Sequence, residues 1–362
     1  MDAIIKAIGK TPSLATLPLR VEEGYLPALL TQSGGAMRAL GAAMLRRETD
    51  RPIFVLCTDE TNAGTLAADL EAMLGESVVQ LTGRDLALRD IEVVSRQEEQ
   101  RRLRALDALY AGAGVAVCTV SGLLQRTLPP DALHSAVTQI TPGTRFDLNA
   151  LSKKLVESGY TRAETVEGVG QFALRGGILD IYSPLSAPVR VEFFDDEVDA
   201  MGEFDLATQR RTQNVKTLTV LPAAEVLPAL SAGGREKMLE RLSRAAQKIA
   251  KKAEDSPIVQ TLRSDIERLR NDLPLGGMDR YLAACYPDEV CALDYLSPDT
   301  LIAVSDGMRV LERSKNYHWE LSEDVKPLIE EGVLCGEFAA LALSQEALSH
   351  RMGAFPVLLL DS

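Results

Sequence analysis

The sequence has no C-x-x-C pair; its five cysteines, Cys57, Cys118, Cys285, Cys291 and Cys335, are scattered. That spacing excludes a disulfide framework and the usual structural zinc patterns, and it fits a reducing cytoplasm. Thiols lying in apolar runs read as ordinary buried side chains. Long apolar stretches are missing too. No run reaches the roughly 18–20 residues that a membrane helix needs. Met1 to Arg20 has no apolar block behind a basic cap, so neither a span nor a signal peptide is expected. Basic charge is in deficit: 39 Lys and Arg face 52 Asp and Glu, for a formal charge of −13. Non-specific nucleic-acid binding rests on lysine and arginine displacing counterions, so any DNA contact would need a local basic face. The balance favours a protein partner.

Catalytic patterns are equally scarce. His134, His318 and His350 are far apart, and no G-x-S-x-G nucleophile turn occurs. A phosphate loop needs G-x-x-x-x-G-K-[ST], whose backbone amides cradle phosphates while the lysine and hydroxyl grip the terminal phosphate and Mg²⁺. Gly9-Lys10-Thr11 supplies the last three letters, but Ile4 stands where the first glycine belongs. Ser33-Gly34-Gly35 is better placed, after an apolar run and before a helix. Ala36-Met37-Arg38 then follow instead of lysine and a hydroxyl, which leaves a degenerate phosphate loop. The acidic run Asp195-Asp196-Glu197 reads as a hairpin tip. No cofactor, no metal and no enzymatic activity are expected.

What is present is organisation. With 362 residues the chain can hold two or three domains. Ile53 to Cys57 and Val115 to Thr119 are short apolar runs of the kind buried on both faces of a parallel sheet. Helical spacing follows from Thr58 to Leu74, and Ser95 with Glu98 predicts a capping box that opens a helix to about Ala111. Val78 to Leu81 is a further strand candidate. Pro129-Pro130 and Thr141-Pro142-Gly143 punctuate the end of this region, and Asp147 to Ser158 is a short amphipathic helix. Beyond Gly159 the period changes. Ile178 to Tyr182, Val189 to Phe193 and Thr217 to Leu221 predict strands of a compact module with one wet face. Helices are predicted from Arg235 to Ala253 and from about Pro257 to Leu273. Buried strands return at Leu301 to Val304 and Phe355 to Leu360.

Within the module, Arg190 and Glu192 leave one face of a strand while Val189, Val191 and Phe193 point inward. Arg175 precedes a Gly-Gly pair, and Arg162 could reach the same neighbourhood. Such a face suits bidentate pairing with a partner's carboxylates, or simply ordinary cross-strand pairing. Neither reading is preferred on these grounds alone.

The string from Gly170 to Tyr182, with Arg175-Gly176-Gly177-Ile178-Leu179-Asp180, and that from Val189 to Asp199, with Val189-Arg190-Val191-Glu192-Phe193-Phe194-Asp195-Asp196-Glu197, resembles a module shared by two bacterial DNA-repair families. These are the transcription-repair coupling factors and UvrB, and in both the module binds UvrA. Further similarity, at Ser33 to Ala36, Ser95 to Glu98, Leu123 to Pro130 and Leu293 to Leu296, extends over essentially the whole chain and favours the N-terminal UvrB-like region of the coupling factors. The resemblance implies a degenerate RecA/helicase-like α/β parallel-sheet domain interrupted by a small β-rich UvrA-binding module. The expected parts are 1–145, 146–222 and a helix-rich 223–362. It implies UvrA contacts at Arg162, Arg175, Arg190 and Glu192, with Ala173 standing where UvrB has one more arginine. It also implies an autoinhibitory contact with downstream domains, and binding of RNA polymerase and DNA mainly through parts beyond this sequence, which reads as a piece of a longer chain. Arg175 and Arg190 are expected to be replaceable without unfolding. The alternative is a UvrB-type nucleotide-dependent damage-processing enzyme; Ser305-Asp306, where a working site prefers Asp-Glu, speaks against it.

Overall fold

The computed structural model describes residues 16–22, 28–30, 34–90 and 97–361. Gly9-Lys10-Thr11, Ser33 and the Ser95 cap lie outside the described residues.

The first half opens with α1 (Leu17–Glu22), β1 (Ala28–Leu30), α2 (Gly35–Thr49), β2 (Ile53–Cys57), α3 (Glu60–Leu74) and β3 (Val79–Leu81). It continues through α4 (Gln97–Tyr110), β4 (Val115–Thr119), α5 (Val120–Leu124) and α6 (Pro130–Ala136). Local chemistry sets the ends. Asp59 accepts a hydrogen bond from the Asn62 amide at the start of α3, and Gly75 closes it in the left-handed region at φ 70°. In β2 every residue is buried, and alternate side chains enter different cores. Phe54 and Leu56 join Leu103, Leu106, Met238 and Leu262 on one side. Ile53, Val55 and Cys57 join Leu40, Leu45, Leu66 and Leu70 on the other. This is why the strands read as unbroken apolar runs.

The β-rich part follows: β5 (Thr138–Ile140), α7 (Leu148–Glu157), β6 (Thr161–Arg162), β7 (Gln171–Arg175), β8 (Ile178–Ile181), β9 (Val189–Phe194), β10 (Glu197–Phe204), β11 (Arg211–Asn214) and β12 (Leu218–Val220). After it come α8 (Gly234–Ala250), α9 (Pro257–Arg270), β13 (Leu301–Ser305), α10 (Gly307–Glu330), α11 (Gln345–Met352) and β14 (Val357–Leu360). The parallel sheet runs β1-β14-β13-β2-β4-β3, so strands from both sides of the β-rich part complete it. A second sheet runs β11-β10-β9-β8-β7-β6, antiparallel except for the β6–β7 pair. The fold is thus a parallel α/β sheet with a separate β-rich sheet. One face of that second sheet packs Phe172, Leu179, Ile181, Val189 and Val191 against Leu151 and Leu155 of α7 and against the β5–β12 pair.

A buried polar joint ties the two parts. Glu225, fully buried just past β12, accepts from Arg84 Nε at 3.0 Å and Thr127 Oγ1 at 2.8 Å, and Arg102 Nε lies 3.2 Å away. Arg84 also donates two bonds to Asp279, at 2.6 and 2.8 Å. Burial alone would lower the Arg84 pKa, but Asp279 and Glu225 outweigh it and raise the group well above its ordinary value.

Candidate protein-docking face

The outer face of the second sheet is built around a fully buried carboxylate. Asp180 on β8 stands directly opposite Arg190 on β9 and Ala173 on β7. It accepts from Arg190 Nε at 2.6 Å and Nη2 at 2.8 Å, and from Arg175 Nη2 at 2.8 Å. Arg190 also donates to the Gln209 carbonyl at 3.2 Å, and its guanidinium lies 5.1 Å from the centre of the Phe204 ring. The hydrogen bond to Asp180 raises the Arg190 pKa against the opposing effect of burial, and the Asp180 charge adds to it.

Arg190 thus makes the cross-strand pairing that the sequence left open beside docking. Its side chain is only 20% exposed, whereas that of Arg175 is 53% exposed and keeps donors for a partner. Glu192 pairs with Arg211 Nη1 at 3.1 Å, a residue that the sequence reading did not single out. Arg162 is exposed on the edge strand β6, in register with the core-facing Phe172. Paired residues share a face, so its register sets it opposite the face of Arg175, Arg190 and Glu192. Ala173 is buried with Val166 and Phe204, which roof one end of the outer face. An arginine there would have to displace that small cluster.

Two apolar side chains complete the face. Ile178 is 39% exposed between Arg175 and Glu192, its ladder neighbours on either side, and Phe194 is 81% exposed at the hairpin end. The turn behind them depends on glycine: Gly176 has φ 59°, and a Cβ on Gly177 would meet the Phe193 carbonyl oxygen at 2.9 Å. The Phe193 amide donates to the Gly177 carbonyl at 2.7 Å. The acidic run is a hairpin tip, with Asp195 at φ 59° and Arg145 paired to Asp196 and Glu197. The signal for Phe194 was available: it is two residues beyond Glu192 on the same face of a strand.

At the degenerate loop, Gly34 is the N-cap of α2 and makes no side-chain cap bond. Added Cβ atoms on Gly34 and Gly35 would meet nothing within 4 Å among the described residues. One turn on, Arg38 donates to Ser305 Oγ at 3.0 Å and lies 4.0 Å from Asp306, which pairs with Arg309 at 3.3 Å. The Gly307 amide donates to Asp361 at 2.7 Å. The chain's own side chains thus engage Arg38 Nη1, Ser305 and Asp306 at this end of the sheet, while the buried Arg38 Nε makes no hydrogen bond among the described residues. Burial pushes the Cys57 and Cys291 thiols up to about 12, far from a reactive thiolate. Among the described residues no group of three or more His, Cys, Asp or Glu could hold a metal, and no helix is long and apolar enough to cross a membrane.

Residues 138–225 match the model of the UvrB interaction domain. The chain is 29% identical over 338 residues to the transcription-repair-coupling factor of Bacillus subtilis, covering 92% of this chain and 29% of that protein. It is 31% identical over 340 residues to that of Myxococcus xanthus, covering 90% and 28%. For that of Staphylococcus aureus (strain USA300) the identity is 25% over 319 residues, covering 85% and 27%. The chain spans under a third of the length of these relatives.

Proposed function

From the premise that this chain carries a UvrB interaction domain, within a sequence similar to transcription-repair-coupling factors along about nine-tenths of its length, we propose that it serves transcription-coupled DNA repair by docking UvrA. The observation that carries the reading is the coincidence of the matched domain with a face that leaves Arg175, Ile178 and Phe194 open to a partner. Arginine and aromatic side chains are the usual energetic anchors of protein interfaces. Arg175 and Phe194 make the principal contacts, Glu192 and Arg211 the polar rim, and Arg190 holds Asp180 and the sheet beneath them. Arg162 contributes from the edge strand if the partner wraps around it. The limits of the module are best placed at 138 and 225, because β5 pairs with β12 and Glu225 forms the joint.

The α/β sheet acts as a scaffold without nucleotide chemistry, a reading supported by the bonds that occupy Arg38, Ser305 and Asp306. Contacts with RNA polymerase and DNA, and an autoinhibitory cover over the docking face, would fall to regions that the longer relatives have and this chain does not match.

Hydrogen exchange of the chain with and without UvrA tests the assignment of the face. Slowed exchange is expected at residues 175–178 and 192–197. Protection confined to the α/β sheet would overturn it.

A further inference from the structure

Helix α10 has two faces of different kinds. Val310, Ser314, Val325 and Leu328 are buried, and Tyr317 and Leu321 pack partly on the same core. The opposite face carries Met308 and Trp319, 74% and 66% exposed, and Leu311 and Ile329, 46% and 40% exposed, lie together along one flank. Trp319 is the single tryptophan of the chain. At 3.6 residues per turn the outermost line of the helix runs Met308, Glu312, Lys315, Trp319, Glu323, Lys326, Glu330. Glu312, Lys315, Glu323 and Lys326 have no ion-pair partner among the described residues, whereas Arg313 pairs with Glu320 at 2.8 Å and Arg309 with Asp306. A large apolar ring on a line of unpaired, alternating charges marks an interaction surface rather than a solvated face.

The order of the charges selects the occupant. A second copy of the helix, laid antiparallel with Trp319 meeting Trp319, sets Glu312 against Lys326 and Lys315 against Glu323, twice each by symmetry. Met308 of one copy then faces Glu330 of the other, and Leu311 and Ile329 of both copies line the same flank of the contact. A parallel pair would set glutamate on glutamate and lysine on lysine, which like-charge repulsion disfavours. We propose that α10 is a self-association surface through which two copies of this chain pair antiparallel about Trp319. The contact is limited to one helix per copy, which places it among weak, concentration-dependent interfaces. The proposal stands apart from the UvrA reading, since α10 lies outside residues 138–225.

Sedimentation velocity of the whole chain, from low micromolar to several hundred micromolar, tests it. The sedimentation coefficient should rise towards that of a dimer, and the Trp319 emission should shift to the blue over the same range. Trp319→Ala, at an exposed position and checked for folding by circular dichroism, should hold the chain monomeric. Lys315→Glu should weaken association about tenfold, because two attractive pairs per dimer become repulsive. Adding Glu323→Lys should restore it to within a few-fold of wild type, since the reversed charges match again. A chain that stays monomeric throughout, a Trp319→Ala variant that associates normally, or a double reversal that fails to restore association would each overturn the proposal.

Discussion

Asp180 is fully buried, and a buried carboxylate persists in ionised form only when it is paired and hydrogen-bonded. Arg190 supplies two of its three guanidinium bonds and Arg175 the third. The two arginines therefore differ in kind, although nothing in their spacing separates them. Arg190→Glu sets a second carboxylate against the first and should destabilise the fold by about 3–5 kcal/mol, the usual effect of breaking a buried ion pair. Urea denaturation checks this; a loss below about 1 kcal/mol would mean that Arg190 is a surface residue after all. Arg175→Ala should cost about 1 kcal/mol or less, as for an exposed pair. Asp180→Asn combined with Arg190→Met should lose less stability than the two single changes added together, because neither group is then left as an unpaired buried charge.

Among the elements, those with a strong apolar signature were legible and those without it were not. β2, β4 and β13 are buried along their whole length, so their apolar runs identified them, and helical spacing located the helices that Asp59 and Asp147 cap. β11, Arg211–Asn214, is exposed at every position and offered no hydrophobic pattern. β10 was hidden because its register shifts between Val198 and Ala200, which breaks the alternation that would have revealed it. β7 was masked for the opposite reason: Ala173 and Phe172 are both buried, on opposite faces, because Val166 and Phe204 roof the outer one. The Glu225 joint was invisible in sequence since Arg84, Arg102, Thr127 and Asp279 come from four distant segments. Glu225→Ala leaves two buried arginines short of an acid. It should cost several kcal/mol and expose the stretch after β12 to protease, a change that limited proteolysis would detect. Unchanged cleavage would show that the joint carries little of the connection.

At the scale of the molecule, the α/β sheet is proposed to serve as a scaffold without gripping a nucleotide. Among the described residues nothing lies within 4 Å of a Cβ added at Gly34 or Gly35, and Arg38 donates to Ser305 beside Asp306. Calorimetry with a non-hydrolysable ATP analogue and Mg²⁺ should give no saturable heat; a saturable, Mg²⁺-dependent isotherm would revive the nucleotide-enzyme reading. The wet face proposed for docking was legible as a strand bearing Arg190 and Glu192. Its division of labour was not, because spacing along one strand says nothing about which neighbour supplies the buried acid or the apolar anchors.

The central claim is that Arg175 and Phe194 form the contact and Arg190 the support. It is tested most directly by the affinity of purified UvrA for the wild-type chain and for the Arg175→Ala, Phe194→Ala double variant, with folding checked by thermal melting. A loss of about a hundredfold, from two interface anchors each worth over 1 kcal/mol, with a melting temperature lowered by no more than about 2–4 °C, is the result expected. Wild-type affinity in the folded double variant would contradict the account.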